Sequence, residues 1–227
     1  MNEPLILLIE TSTTSCSVAL SQGAKIIALK EENERNIHAS HITLFIDEVI
    51  KRAGKEYSNL NAIAVSKGPG SYTGLRIGVS TSKGLCYALD IPLISVNTLQ
   101  SMADGLKMTR EVPASAYLMP MIDARRMEVY TAIYKSDLTL VEDVNAKVVD
   151  QSSYMEFQDN ELILFGDGAE KFRQLFSQRS NMSFLNFQNS AAHMARLANQ
   201  KFVSGETENM AYFEPFYLKD FVTTNRT

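Results

Sequence analysis

Apolar segments separated by polar turns open the chain and predict a three-strand meander. The segments are LILLIET, CSVALSQ and KIIALKE, with the polar stretch TSTTS and the turn Gln22–Gly23 between them. Between Ile37 and Ala53, apolar residues then recur with the period of an amphipathic helix, and Gly54 follows as a stop signal.

A second set of elements follows this helix. We predict a buried strand from Ala62 to Lys67, the glycine turn GPGSYTG, a helix to about Leu89, the strand PLISVN and a short helix from Ser101 to Lys107. The first half therefore has the predicted order βββαβαβα.

After Pro113 the pattern restarts, and we predict a shortened copy of the first half. It contains the strands YLMPMIDA, EVYTAIYK, LTLVEDVNAKVV, ELILFG and MSFLNF, with a helix AEKFRQLF before the last strand. A final helix from Ala191 to Phe202 leads to the tail FEPFYLKD, where Pro215 indicates a bend or an edge strand. We expect a two-lobed α/β fold, with lobes at 1–110 and 111–227 and the last helix packing back on the first lobe.

Composition limits the classes of protein. The chain has 227 residues, 45% of them hydrophobic, which is enough to bury a core without disulfides, and its two cysteines indicate a reducing, cytoplasmic setting. The first unbroken apolar run, Leu5 to Ile9, is too short to span a membrane. A net charge of −4 without a basic cluster predicts no direct attraction for a nucleic-acid backbone.

The glycine turn SKGPGSYTGLRIGVSTSKG is the strongest local signal. Ser71 or Thr73 can cap the following helix, whose first amides could hold an anion. The turn lacks the lysine of a Walker loop and the glycine spacing of the dinucleotide fingerprint, so we favour a tight turn over phosphate binding. If phosphate binds, the candidate residues are Glu10, Thr11, Gly68, Gly70, Ser71 and Thr73.

The helix after this turn carries small residues one turn apart, Gly74 with Gly78 and Gly84 with Ala88, which would let another helix approach closely. It is either a core helix or, with the Ile37 to Ala53 helix, a subunit interface. On the second hypothesis, Gly78→Arg abolishes pairing and leaves the fold largely intact. The candidate interface residues are Ile42, Phe45, Ile46, Val49, Leu75, Ile77, Gly78, Thr81, Ser82 and Leu85.

Catalytic and metal-binding groups are sparse. His38 and His41 could share a helix face, but no third ligand is evident, and we predict no metal and an exposed, polar helix start. Cys16 alternates with apolar strand residues, as a packed thiol would. The run MIDARRMEVY brings Asp123, Arg125, Arg126 and Glu128 together, and we favour pairing across a hairpin over acid–base catalysis.

Four motifs in order resemble the TsaB (YeaZ) family: IETSTTSCSVAL, SKGPGSYTGLRIGV, MIDARRMEVYTAIY and FEPFYLK. The resemblance implies an actin-like ATPase fold with a reduced second lobe. It also implies a noncatalytic scaffold for TsaD, the subunit that transfers threonylcarbamoyl to N6 of the adenosine at position 37 in tRNAs that read ANN codons. TsaD would dock on the two helices of the first lobe, an arrangement that a homodimer can mimic.

Further partners follow from the same resemblance. TsaE joins the assembly, tRNA is reached through the complex, and ATP or ADP with Mg²⁺ is expected only at the complex interface. TsaD holds its metal with an HxxxH pair, whose spacing His38 and His41 do not match. Two departures are Glu10 and Met127, where relatives often have aspartate and glycine.

Two rival functions remain open. An actin-like ATPase or small-molecule kinase would use the Gly68 to Gly74 turn for phosphate and Glu10 for Mg²⁺. A glycoprotease-like peptidase is the other, and no serine, cysteine or zinc constellation supports it. Tight binding of ATP by the chain alone would favour the first.

Overall fold

A computed structural model describes residues 3–34 and 36–219 and shows two five-stranded sheets. The first sheet has the strand order β3-β2-β1-β4-β5. One helix follows each of its third, fourth and fifth strands along the chain. Its elements are β1 (Leu5–Glu10), β2 (Ser15–Gln22), β3 (Lys25–Asn33), α1 (His38–Arg52), β4 (Ala62–Gly68), α2 (Tyr72–Leu89), β5 (Leu93–Asn97) and α3 (Thr98–Thr109). The predicted order βββαβαβα is confirmed.

The second sheet repeats this topology with the order β10-β9-β6-β7-β8. In both sheets the first three strands form an antiparallel meander. The fourth strand pairs parallel with the first, and the fifth pairs parallel with the fourth. The strands are β6 (Tyr117–Asp123), β7 (Glu128–Lys135), β8 (Leu140–Val148), β9 (Leu162–Phe165) and β10 (Met182–Leu185), and α4 (Ala195–Ser204) follows them. The predicted shortened copy is present in topology.

Successive side chains of β1 point to opposite faces of the first sheet, so they belong to two separate hydrophobic clusters. Leu5, Leu7 and Ile9 face the cluster that contains α1 and α2, whereas Ile6 and Leu8 face a second cluster with α4. Because successive strand residues point to opposite faces, a strand buried on both sides is apolar throughout. The last helix thus returns to the first sheet.

Two predicted helices differ from the structure. The segment AEKFRQLF contains only a 3-10 turn, Glu170–Phe172, followed by irregular turns, and the helix prediction there is wrong. In an eight-residue helix, the few hydrogen bonds formed hardly offset the free-energy cost of nucleation. The segment is held instead by the buried rings of Phe172 and Phe176. The final helix begins with a 3-10 turn, Ala191–Met194, before α4.

The segment after α4 crosses the first lobe without forming a strand between residues 206 and 219, so the edge-strand alternative is wrong there; Asp220 lies outside the described residues. Glu208 N donates to Leu93 O at 2.8 Å, and Phe216 N donates to Lys67 O at 2.7 Å. No helix within the described parts of the chain is long and apolar enough to cross a membrane.

Candidate functional site

The turn between β1 and β2 lies directly against the start of α2. A Cβ on Gly74 would lie 2.0 Å from Thr11 O, and one on Gly78 would lie 2.3 Å from Thr11 Oγ1. A Cβ on Gly70 would likewise lie 2.3 Å from Ser12 O. Real Cβ atoms do not approach other atoms so closely, so these glycines are required for the two segments to pack together.

The rest of the glycine motif also has internal partners. Ser71 caps α2 by accepting a hydrogen bond from Gly74 N at 3.3 Å, as predicted, whereas exposed Thr73 caps nothing. Gly68 has a φ of 111°, and a Cβ there would lie 2.7 Å from Phe216 O. The structure therefore accounts for the motif through packing, and its phosphate role stays a prediction.

Glu10 lies at the end of β1 beneath this turn and is fully buried. Its Oε1 accepts hydrogen bonds from Ser12 N at 2.6 Å and from Ser66 Oγ at 3.0 Å. Its Oε2 and Thr11 Oγ1 are also buried, and neither has a hydrogen-bond partner among the described residues. Burial raises the pKa of the Glu10 carboxyl, and the hydrogen bonds oppose that rise only in part.

We expect Glu10→Gln to change how stability depends on pH. A carboxyl whose pKa is raised in the folded state binds more protons there than in the unfolded chain, so its contribution to stability falls as the pH rises above about 4.3. Glutamine is neutral at every pH, so the variant's stability relative to wild type should increase between about pH 4 and pH 7. Urea unfolding across that range measures this difference, and a pH-independent difference would contradict the raised pKa.

A cleft of about 500 Å³ opens between the lobes beside this turn. Thr13 and Thr14 line it from the first lobe, and Asp167 lines it from the loop after β9. Sequence reasoning missed Asp167, although its position between two glycines directly after a buried strand is a signal that could have found it.

The charged run after β6 pairs with other segments, not across its own hairpin. Asp123 pairs with Lys171, 2.5 Å apart, and Glu128 pairs with Lys219. Arg125 and Arg126 occupy a tight turn with positive φ angles of 74° and 51°. The predicted hairpin pairing is wrong because Asp123 and Glu128 pair with lysines from segments distant in the chain.

His38 and His41 do not form an exposed pair, so the prediction of an exposed helix start is wrong for His38. Its ring is buried, with Nε2 3.3 Å from Ser15 O, and burial lowers its pKa. Within residues 3–34 and 36–219, no group of three or more histidine, cysteine, aspartate or glutamate side chains could hold a metal. Cys16 is a packed thiol as predicted, and burial raises its pKa to about 11.

Most of the predicted interface side chains lie inside the first lobe. Only Ile77, Thr81 and Leu85 are half-buried; the other seven, Ile42, Phe45, Ile46, Val49, Leu75, Gly78 and Ser82, are buried. The expectation that Gly78→Arg would spare the fold is therefore wrong, because Gly78 contacts Thr11. An interface on these helices stays a prediction for the side chains that remain accessible.

One flank of α2 is accessible, and we call it the small-residue flank. It contains Ile77, Thr81, Gly84, Leu85 and Ala88, which share one side of the helix by their spacing. A Cβ on Gly84 would meet no atom of the described residues within 4 Å, in contrast to Gly74 and Gly78. Another helix could therefore approach α2 closely along this flank.

The chain is similar to solved structures with the same two-lobed arrangement. It aligns with YeaZ from Pseudomonas aeruginosa with a TM-score of 0.78 and 24% identity, covering 95% of this chain and 100% of that one. The activator of 2-hydroxyisocaproyl-CoA dehydratase from Clostridium difficile, solved with ADPNP, aligns with a TM-score of 0.52 and 8% identity over 90% of this chain and 98% of that one. The fold is thus the one that YeaZ and this activator share, and the actin-like ATPase fold stays an expectation.

Sequence comparison identifies the family to which the chain belongs. The model of the TsaD family, tRNA N6-adenosine threonylcarbamoyltransferase, matches residues 31–224. The tRNA threonylcarbamoyladenosine biosynthesis protein TsaB of Escherichia coli K12 is 30% identical, over 96% of this chain and 95% of that protein. TsaB of Haemophilus influenzae is 28% identical, over 98% and 97%. The chain therefore belongs to the TsaB family of tRNA threonylcarbamoyladenosine biosynthesis proteins, which is related in sequence to the TsaD transferases.

Proposed function

We propose that this chain is a noncatalytic subunit that docks on TsaD and stabilises its active arrangement. The complex would form N6-threonylcarbamoyladenosine at position 37 of ANN-reading tRNAs. The observation that carries this proposal is the small-residue flank of α2, where Gly84 and Ala88 are exposed. Ile77 and Leu85 beside them are half-buried and pack in part on the first-lobe core. Small residues on a helix let a partner helix approach closely, and such contacts suit a stable subunit interface.

The chemistry near the glycine turn supports a scaffold role. A Cβ at Gly74, Gly70 or Gly68 would collide with Thr11, Ser12 or Phe216, so packing within the chain is enough to require these glycines. Glu10 is buried beneath the turn with its Oε1 already bonded within the protein. Transfer of the threonylcarbamoyl group is therefore assigned to TsaD.

The partners follow from the same surface. A homodimer of the isolated chain would use the small-residue flank twice, and TsaD would replace one copy in the complex. TsaE would join this assembly, and tRNA would be held through the complex, since the chain has a net charge of −4 and no basic cluster. We place ATP or ADP with Mg²⁺ at the complex interface and the assembly in the cytoplasm.

A reconstituted modification reaction tests this function. Cognate TsaD and TsaE, ATP, threonylcarbamoyl-adenylate and unmodified tRNA are combined with and without this chain, and the modified base is scored. We expect modification to depend on the chain, with no turnover by the chain alone. Full modification in its absence would refute the scaffold role, and tight ATP binding by the chain alone would favour the ATPase alternative.

A further inference from the structure

The cleft between the lobes has walls of different character. The first lobe contributes hydroxyl and amide groups, including Thr13, Thr14 and Asn33. Apolar side chains also line it, namely Met102, Leu185 and Phe187. A ligand for this cleft therefore combines polar groups with an apolar stretch.

The charge of the cleft favours a cation. The ionisable side chains among its described lining residues are Asp167 and Glu170, and none of those lining residues is basic. Glu170 is neutralised by two hydrogen bonds from Arg173, at 2.6 and 2.8 Å. Asp167 and Asp123, by contrast, share the single ammonium of Lys171, which bonds to Asp123. One uncompensated negative charge therefore remains on this wall.

A bound cation would stabilise the ionised carboxylate of Asp167. Its Oδ1 accepts a hydrogen bond from Asp123 N at 3.0 Å. Although the side chain opens to the cleft, the surrounding protein raises the pKa of its carboxyl, and the nearby Asp123 charge adds to this rise. An ammonium group beside Asp167 would offset both costs of keeping the carboxyl ionised.

A second observation lies on the opposite wall. Ser15 lines the cleft and is 2% exposed, yet its Oγ has no hydrogen-bond partner among the described atoms. An unpaired buried hydroxyl costs free energy, and a ligand N–H group could supply its missing donor. Ser15 on the first lobe and Asp167 on the second therefore each offer an acceptor to a ligand donor.

We propose that the interlobe cleft binds a small linear organic ammonium ion of the polyamine class. One ammonium group pairs with Asp167, another bonds to hydroxyl groups of the first lobe, and the methylene chain lies on the apolar side chains of the cleft. A nucleoside triphosphate would instead bring negative charge beside Asp167 without a basic lining residue to pair it.

Calorimetric titration of the full chain with spermidine at physiological ionic strength tests this site. We expect saturable binding that Asp167→Asn weakens at least about tenfold, because a charge-assisted hydrogen bond is lost. Asparagine retains the Oδ1 that accepts from Asp123 N, so the fold should persist. The matched control is Asp159→Asn, an exposed aspartate outside the cleft, which should change affinity less than about twofold because exposed charges are screened.

A second variant tests the site in the opposite direction. Gln188 is exposed and lines the cleft, so Gln188→Lys places a tethered ammonium there and should weaken spermidine binding by competition. Three results would overturn the proposal: no saturable binding, equal losses in Asp167→Asn and Asp159→Asn, or tighter binding of ADP with Mg²⁺ that depends on Asp167. Each is independent of whether TsaD docks on α2.

Discussion

Replacing Gly74 by alanine should destabilise the first lobe by about 3 kcal/mol or more, a cost at the upper end of that for overpacking a core. The new Cβ would lie 2.0 Å from the backbone oxygen of Thr11, which cannot rotate away as a side chain would. Either α2 or the β1–β2 turn must move, and Glu10 lies directly beneath that turn. For a chain of this size the loss corresponds to a fall in Tm of roughly 6–12 °C.

Gly84→Ala is the matched control because it makes the same change on the same helix. Within the described part of the chain, its Cβ would meet no atom within 4 Å. Because alanine has a higher helix propensity than glycine, we expect stabilisation by about 0.5–1 kcal/mol. Urea and thermal unfolding of both variants measure the contrast. Equal effects would show that the glycine turn does not pack against the β1–β2 turn.

Gly84→Arg should abolish pairing with TsaD, with affinity falling by about 100-fold or more, since an arginine in a close helix contact brings both bulk and an unpaired charge. The substitution leaves the core untouched because Gly84 faces open space. Gly84→Arg is a better test of the interface than Gly78→Arg. An arginine at position 78 would clash with Thr11, so a loss of binding could not be separated from a loss of folding.

Two variants make the result specific. Gly84→Ala should bind TsaD as the wild type does, and Leu140→Arg places the same charge on an edge strand of the second lobe, where Leu140 is 48% exposed. Affinity is measured by titration of purified TsaD, with thermal unfolding of each variant as a check of the fold. If Gly84→Arg binds as tightly as Leu140→Arg, TsaD does not dock on the small-residue flank.

Much of the first lobe follows from sequence alone, because its elements bury regular faces. The helix predicted over Ile37 to Ala53 is α1, His38–Arg52, and the predicted meander forms the first three strands. A hydrophobic period of 3.6 residues in a helix, or of 2 in a strand, indicates which side of the element is buried. Each element here has such a side. The resemblance carried by four motifs also identified the family, since it rests on side chains that pattern alone does not use.

The tertiary structure decided what depends on residues distant in the chain. Sequence could not distinguish the buried from the accessible side of α2, because apolar and small residues occur around it and only the sheet determines which are covered. The role of Gly68 depends on Phe216, and the ion-pair partner of Asp123 is Lys171, contacts that no local period encodes. The local pattern of apolar and polar residues therefore determined the helices and strands. Packing between segments distant in the chain determined which atoms the glycines contact and which charges in the cleft are paired.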